Sequence, residues 1–417
     1  YVLISILGAP LLAVLLAFFT RNVSGNAYSL RENENLPAYM FMCVITALFM
    51  GLIISAEEIV RDRKILKRES FLNLSWFSYI NSKVMMMFLV SAIQTILFVI
   101  AGNLILGIRG MTPEYWIILF STSCLANLIG LNISSAFNSA ATIYILIPFI
   151  IIPQLLFSGV LVKFDSLHRK ENTYGEFVPI IGDLMPARWA YEALATEQFK
   201  NNRYEKNFFS YDMEISQNTW YASFLIEALR KDLWICRNYR DSSRYRELVA
   251  DNLGKLTVYI GKMAEIAGSG PPPRNLKSSL DIGRFDDSVA IRTESLLNNF
   301  SDRFKEIRKK NVLKKDSITA ALLTKIGESA LIELKNNHTN IRLREIVLDE
   351  FNTQKIIETG KKIIQKYEPA YMKPVSANGR AHFYAPYKKI GNKQADTFWF
   401  NITVLWLVSL TLYLFLY

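Results

Sequence analysis

The sequence predicts an all-α membrane protein: six transmembrane helices, with a large helical extramembrane domain inserted between helices 5 and 6. Three observations carry this. Charge is segregated: residues 1–162 hold 16 charged side chains (9 Lys/Arg, 7 Asp/Glu), residues 163–396 hold 69 (39 and 30), and residues 397–417 hold none. Charge-free apolar runs recur at the roughly 20 residues that a bilayer crossing needs. The charged middle carries apolar residues at helical spacing.

Tyr1–Thr20, Pro37–Ala56 and Val84–Ile108 are the first three runs. A Lys, Arg or Asp at a helix centre costs about 2.5–3.5 kcal/mol on insertion, so charge-free length is the signal. Tyr115–Val162 is uncharged for 48 residues, about 72 Å of helix. It is too long for one crossing, and Asn138-Ser139 is the expected break between a fourth and a fifth span. Pro148 and Pro153 interrupt the fifth, and neighbouring groups must satisfy the freed carbonyls. Thr397–Tyr417 is the sixth. The expected organisation is therefore 1–162 with a loop at 57–83, an inserted domain at 163–396, and a last span at 397–417. Because both ends lie in apolar runs, the chain is expected to be a segment of a longer protein.

The 57–83 loop holds Arg61, Arg63, Lys64, Lys67, Arg68 and Lys83. This dense basic cluster predicts a cytoplasmic loop. Three crossings then put 163–396 outside the cytoplasm, periplasmic in a Gram-negative envelope, and make the chain an integral, multi-pass protein of the plasma or inner membrane.

In the inserted domain, Tyr221, Leu225, Ala228, Leu229, Leu233 and Cys236 form one stripe. Val289, Leu296, Phe300, Phe304 and Ile307 form a second. Ile318, Leu322, Ile326 and Ala330 form a third, behind an Asp316 or Ser317 cap. Asp286-Asp287 reads as a helix start, and 268–273 as a linker. Core packing explains the stripes without a function. The net charge of +11 divides as +2 before residue 163 and +9 after it. A solvated surface of mixed sign accounts for this, although anionic lipid or an acidic envelope partner would also suit it. No RNP box or zinc finger occurs, so nucleic acid is not an expected partner. Cys43, Cys124 and Cys236 leave the domain no internal disulfide. His168, His338 and His382 lack metal-ligand spacing. No catalytic constellation and no G-x-x-x-x-G-K-[ST] phosphate loop is present.

Two motifs carry a family resemblance. Glu57-Glu58-Ile59-Val60-Arg61-Asp62-Arg63-Lys64 through Glu69 follows the second run, and Ser78-Tyr79-x-x-x-Lys83 opens the third. Leu156-Phe157-Ser158-Gly159 closes the fifth, followed by Met185-Pro186-Ala187-Arg188-Trp189, Ala193-Leu194 and Glu197-Gln198-Phe199. Together these resemble the membrane part of G-subfamily (white-type, ABC-2-type) ABC exporters, over about residues 1–200 and the last span. The long segment before the last span departs from that family, whose outer loop is usually short.

The resemblance implies a permease, driven by ATP and Mg bound in a nucleotide-binding domain upstream or on a separate subunit. It implies a homodimer in the lipid bilayer that exports lipid-like or amphipathic substrates. Glu57, Arg61, Asp62 and Glu69 would couple to the ATPase domain, with Glu57 and Arg61 spaced to pair at i,i+4. Thr46, Ala47, Met50, Ile152 and Leu155 would line the substrate cavity, and Val160 and Leu161 would form an apolar plug. Ordinary helix packing also explains these apolar positions. Polar Gln94, Asn103, Asn127 and Asn132 suit interhelical hydrogen bonds as well as a path. The competing reading is a membrane-anchored scaffold or binding protein whose domain recruits an envelope partner.

Overall fold

The computed structural model describes residues 2–23, 28–69, 75–167, 177–268, 278–360 and 362–417, without the side chains of residues 2–5, 64 and 69. The expected runs are helices: α1 (Val2–Thr20), α2 (Leu36–Ala56), α3 (Glu58–Glu69), α4 (Trp76–Leu106), α5 (Thr112–Ala136) and α6 (Ala140–Leu156). The last helix, at 397–414, closes the bundle. The break after α5 falls at Phe137–Ser139. Among the described residues, Leu36–Arg68, α4, α5 and the last helix are long and apolar enough to cross a membrane; Ile6–Thr20 and α6 are apolar but shorter. α4 begins at Trp76, eight residues before the expected Val84, capped by the Ser75 hydroxyl.

Small residues set how closely the bundle packs. A Cβ on Gly51 of α2 would lie 2.6 Å from the Ser123 carbonyl oxygen and 2.8 Å from Ala126 Cβ of α5. The two backbones approach to a distance that only glycine permits, as is common between membrane helices.

The segment 163–396 is not one separate helical body. After α7 (Ile180–Asp183), α8 (Pro186–Lys200) packs against α2, α5 and the last helix. Ala190, Tyr191, Ala193 and Leu194 of α8 share the core of the apolar helices. A second core lies farther along the chain, built by α9 (Phe209–Trp220) through a π-turn at Tyr221–Leu225, α10 (Ile226–Tyr239), α11 (Arg246–Ile266) and α12 (Asp287–Ile326). The first two expected stripes meet there: Leu225, Leu229, Leu233 and Cys236 with Val289, Phe300 and Phe304. Asp286 caps α12, its carboxylate accepting the Val289 N–H at 2.7 Å.

Two expectations are corrected here. α12 runs unbroken for 40 residues, so neither Asp316 nor Ser317 starts a helix. It stops at Gly327, whose φ of +79° ends the run. Ile326 and Ala330 of the third stripe are exposed, not core. The segment also contains strands as well as helices. After α13 (Glu328–His338) and α14 (Ile341–Val347), β1 (Ile356–Thr359) pairs antiparallel with β2 (Lys362–Gln365), and β3 (Tyr387–Ile390) with β4 (Lys393–Asp396). β4 leads directly into α15 (Thr397–Leu414).

The two ends of the bundle carry different structure. α3 lies at one end: Ile59 packs with Ile80, Val84, Leu131 and Leu416. At the other end the α1–α2 connection is docked on α14. Asn340 Nδ2 donates to the carbonyls of Leu30 and Asn33, both at 2.8 Å.

Candidate functional site

α3 is held by charge and by a cap. Its first N–H groups lack helical acceptors, and Ser134 at the end of α5 supplies one. The Ser134 Oγ accepts from Ile59 N at 3.0 Å and Val60 N at 3.1 Å. Arg63 donates to the Ser135 carbonyl at 2.9 Å. From α4, the Lys83 ammonium reaches Glu58 at 2.8 Å and Asp62 at 2.5 Å. The Tyr79 hydroxyl donates to Asp62 at 3.2 Å. Glu58 is 5% exposed.

Arg61 pairs with Glu58, and approaches Asp62 at 4.0 Å. The expected partner was Glu57. Glu57 instead ends α2 at the break between the helices, while Glu58 opens α3 and turns inward. Glu69 closes α3, and its side chain lies outside the described residues. Glu58, Lys83, Tyr79 and Ser134 were not expected as site residues. The signal for Lys83 was available: it is the single charge within α4, and such a charge needs a partner.

At the far end, about 31 Å away along α2, a cavity of about 570 Å³ opens between the start of α2, the turn after α6 and the inserted segment. Phe41, Leu155, Val160, Leu161 and Phe383 give it apolar walls. Its rim is ionic, with Lys163 to Asp349 at 2.8 Å and Lys366 to Asp165 at 2.9 Å. Gly159 shapes the turn. Its φ is +81°, and an added Cβ would lie 2.3 Å from the Phe164 ring. That accounts physically for glycine in the Phe157-Ser158-Gly159 motif.

Leu155, Val160 and Leu161 thus line one cavity, with Leu161 62% exposed. The other expected path residues lie elsewhere. Thr46 and Met50 are half-buried on α2, Ala47 is buried in the bundle core, and Ile152 is exposed on α6. Asn127 donates to Ser91 Oγ at 2.8 Å and Asn132 to the Leu412 carbonyl at 2.9 Å, as interhelical bonds.

A buried charge network joins α8 to β3 and α15. Glu192 accepts from Lys388 Nζ at 2.7 Å and Asn401 Nδ2 at 2.8 Å, with Arg188 at 3.5 Å. Arg188 stacks on Trp189 at 3.9 Å. Burial would raise the Glu192 carboxyl, but the Arg188 and Lys388 charges overcome it, and its pKa falls. Burial pulls Lys388 down to about 8, against the attraction of Glu192. His382 donates from Nε2 to the Pro369 carbonyl at 2.8 Å, and burial lowers it to about 4. His168 lies outside the described residues. Among the described residues, no group of three His, Cys, Asp or Glu could hold a metal.

An apolar bundle with helices long enough to cross a membrane, a charge-clamped helix at one end and an amphipathic cavity at the other has the build of a multi-pass membrane protein. Residues 3–199 match the family described as ABC-2 type transporter, the membrane domain of such transporters. The match supports an ABC-2 permease, integral to the membrane, of the kind that normally pairs with a nucleotide-binding domain. No curated protein and no solved structure matches the chain.

Proposed function

We propose that this chain is the permease of an ATP-driven exporter of the G-subfamily type, moving lipid-like or amphipathic substrates. A nucleotide-binding domain, on the same chain or a separate subunit, supplies the ATP and Mg chemistry. Six helices cross the membrane, two copies pair as a homodimer, and α3 lies in the cytoplasm. The segment after α6 lies outside, periplasmic in a Gram-negative envelope, where it can meet an envelope partner.

The observation that carries this reading is the attachment of α3. Salt bridges to Lys83 and a cap from Ser134 tie it to α4 and α5 at once. A helix bound this way moves with the bundle, which is what a coupling element between an ATPase and a membrane path must do. Glu57, Arg61 and Glu69 form its ATPase-facing group, and Asp62 couples that group to α4 through Lys83 and Tyr79. Thr46, Met50, Ile152 and Leu155 line the path at the dimer axis, with the buried Ala47 packed behind them, and Val160 and Leu161 close it as a plug. The apolar cavity beside that plug, rimmed by ion pairs, suits an amphipathic molecule on its way out.

The test is Glu57→Ala in the full-length protein or assembled complex, reconstituted in proteoliposomes. Transport and substrate-stimulated ATPase should fall strongly, with expression and dimerisation near normal. Unchanged transport and unchanged stimulation would overturn the coupling role.

A further inference from the structure

A second pocket lies wholly within the segment between α8 and β3. It encloses about 280 Å³, room for roughly nine waters at about 30 Å³ each. Four cations line it: Arg308 and Lys315 from α12, Lys335 from α13 and Arg344 from α14. Two of them are committed. Lys315 pairs with Asp212 at 2.5 Å, and Arg344 with Glu350 at 3.1 Å. Arg308 and Lys335 have no carboxylate at ion-pair distance among the described residues. Lys335 instead lies over the Tyr204 ring at 5.7 Å.

The electrostatics of the pocket are those of an incomplete site. Burial depresses the Lys335 ammonium, and the charges of Arg31, Arg344 and Lys315 depress it further, against Glu205. Ser216 of α9 is 3% exposed, and its hydroxyl has no hydrogen-bond partner among the described residues. A buried hydroxyl left unpaired is unfavourable, so a bound polar group is favoured there. Glu205 and Glu368 also line the pocket. They would repel a polyanion and accept from hydroxyls.

We infer that this pocket binds a small phosphate-bearing polyol of one sugar unit. The phosphate meets Lys335 and Arg308, the hydroxyls meet Glu205, Glu368 and Ser216, and the Tyr204 ring covers one face. Two uncommitted cations suit a phosphate through charge-assisted hydrogen bonds. The neighbouring acceptors require hydroxyls rather than further phosphates. This site is separate from the cavity beside α6 and does not depend on the transport reading.

The experiment is isothermal titration of the purified full chain in detergent. The probes are glucose 6-phosphate, glucose, inorganic phosphate and dihexanoyl-phosphatidylglycerol. Glucose 6-phosphate should bind saturably, with glucose and inorganic phosphate each about tenfold weaker or more, the loss of one set of polar contacts. Lys335→Glu and Arg308→Glu should each weaken it about tenfold. Arg308 is exposed, so its variant keeps the fold, which the thermal midpoint verifies. Tighter binding of the short-chain lipid would support the same chemistry with a headgroup as its source. The proposal is overturned if neither phosphate polyol binds, if inorganic phosphate binds as tightly as they do, or if both variants bind like the parent.

Discussion

The Lys83 ammonium lies 2.8 Å from the Glu58 carboxylate, and this pair fixes α3 to α4 across 25 residues of sequence. The side chains are 16% and 7% exposed, so water screens them little. Removing one partner of a buried pair costs about 3–5 kcal/mol, because the other charge is left uncompensated. Here the remaining exposure and the second acceptor, Asp62, place the cost below that range.

Glu58→Gln and Lys83→Met should therefore each lower the unfolding temperature in detergent. The double variant should recover part of the loss, since neither member of the pair is left facing the other's absence, while Asp62 still loses Lys83 and Arg61 still loses Glu58. Its ATPase stimulation should stay low, because the salt bridges between α3 and α4 are gone and only the Tyr79–Asp62 hydrogen bond and the Ile59 packing remain. A double variant with parental stimulation would show that the pair serves stability alone.

Met50 and Leu155 test the path. Both are half-buried and pack against the main core from its edge. If each faces the cavity at the dimer axis, Trp at either position should fill it and block transport while the protein still folds. Transport is the readout, with size-exclusion profile as the control. Tolerance of Trp at both positions would show that the path runs elsewhere.

His382 gives a pH dependence with a definite sign. Burial lowers its pKa to about 4, below the ordinary value near 6.5. Between these values the unfolded chain binds a proton that the folded chain does not, so stability rises with pH there. The contribution is complete above about 6.5 and is lost as pH falls toward 4, at an order of 3 kcal/mol. Thermal unfolding from pH 7 to pH 4 should show this slope, and His382→Gln should flatten it. Parallel curves for the two proteins would remove His382 as its source.

The apolar helices were legible because a bilayer crossing imposes one local rule, charge-free length. The break at 138–139 and the Asp286 cap were legible for similar local reasons. α8 was not. Arg188, Glu192 and Glu197 put charge along it and the expected inserted domain includes it, yet it lies in the bundle core. Its burial is made possible by Lys388, 196 residues from Glu192, and by Asn401, and no local pattern announces partners so distant. The strands were missed because each is four residues long, too short for alternation to register. At the site, the spacing of Glu57 and Arg61 suggested a pair, but a helix break between α2 and α3 shifted the contact to Glu58. The path residues gave no local signal that separates a cavity wall from a packed face.

The proposed membrane sidedness rests on counting crossings. α3 and the inserted segment occupy opposite ends of the bundle, since Ile59 packs with Leu416 while Asn340 holds the start of α2. If the bundle crosses the bilayer, the dense basic cluster at 57–83 belongs on the cytoplasmic side, and residue 278 belongs outside. Ser278 is exposed, so a cysteine there is reachable. The native Cys43, Cys124 and Cys236 are all buried and can be replaced to give a silent background. A membrane-impermeant maleimide should label Ser278→Cys in intact cells, or in spheroplasts where an outer membrane intervenes. It should label Ser70→Cys only after permeabilisation. The reverse pattern would invert the orientation. Labelling of both in intact cells would mean that an even number of crossings separates the two positions, and the helix pair α5–α6 would then be the first place to look.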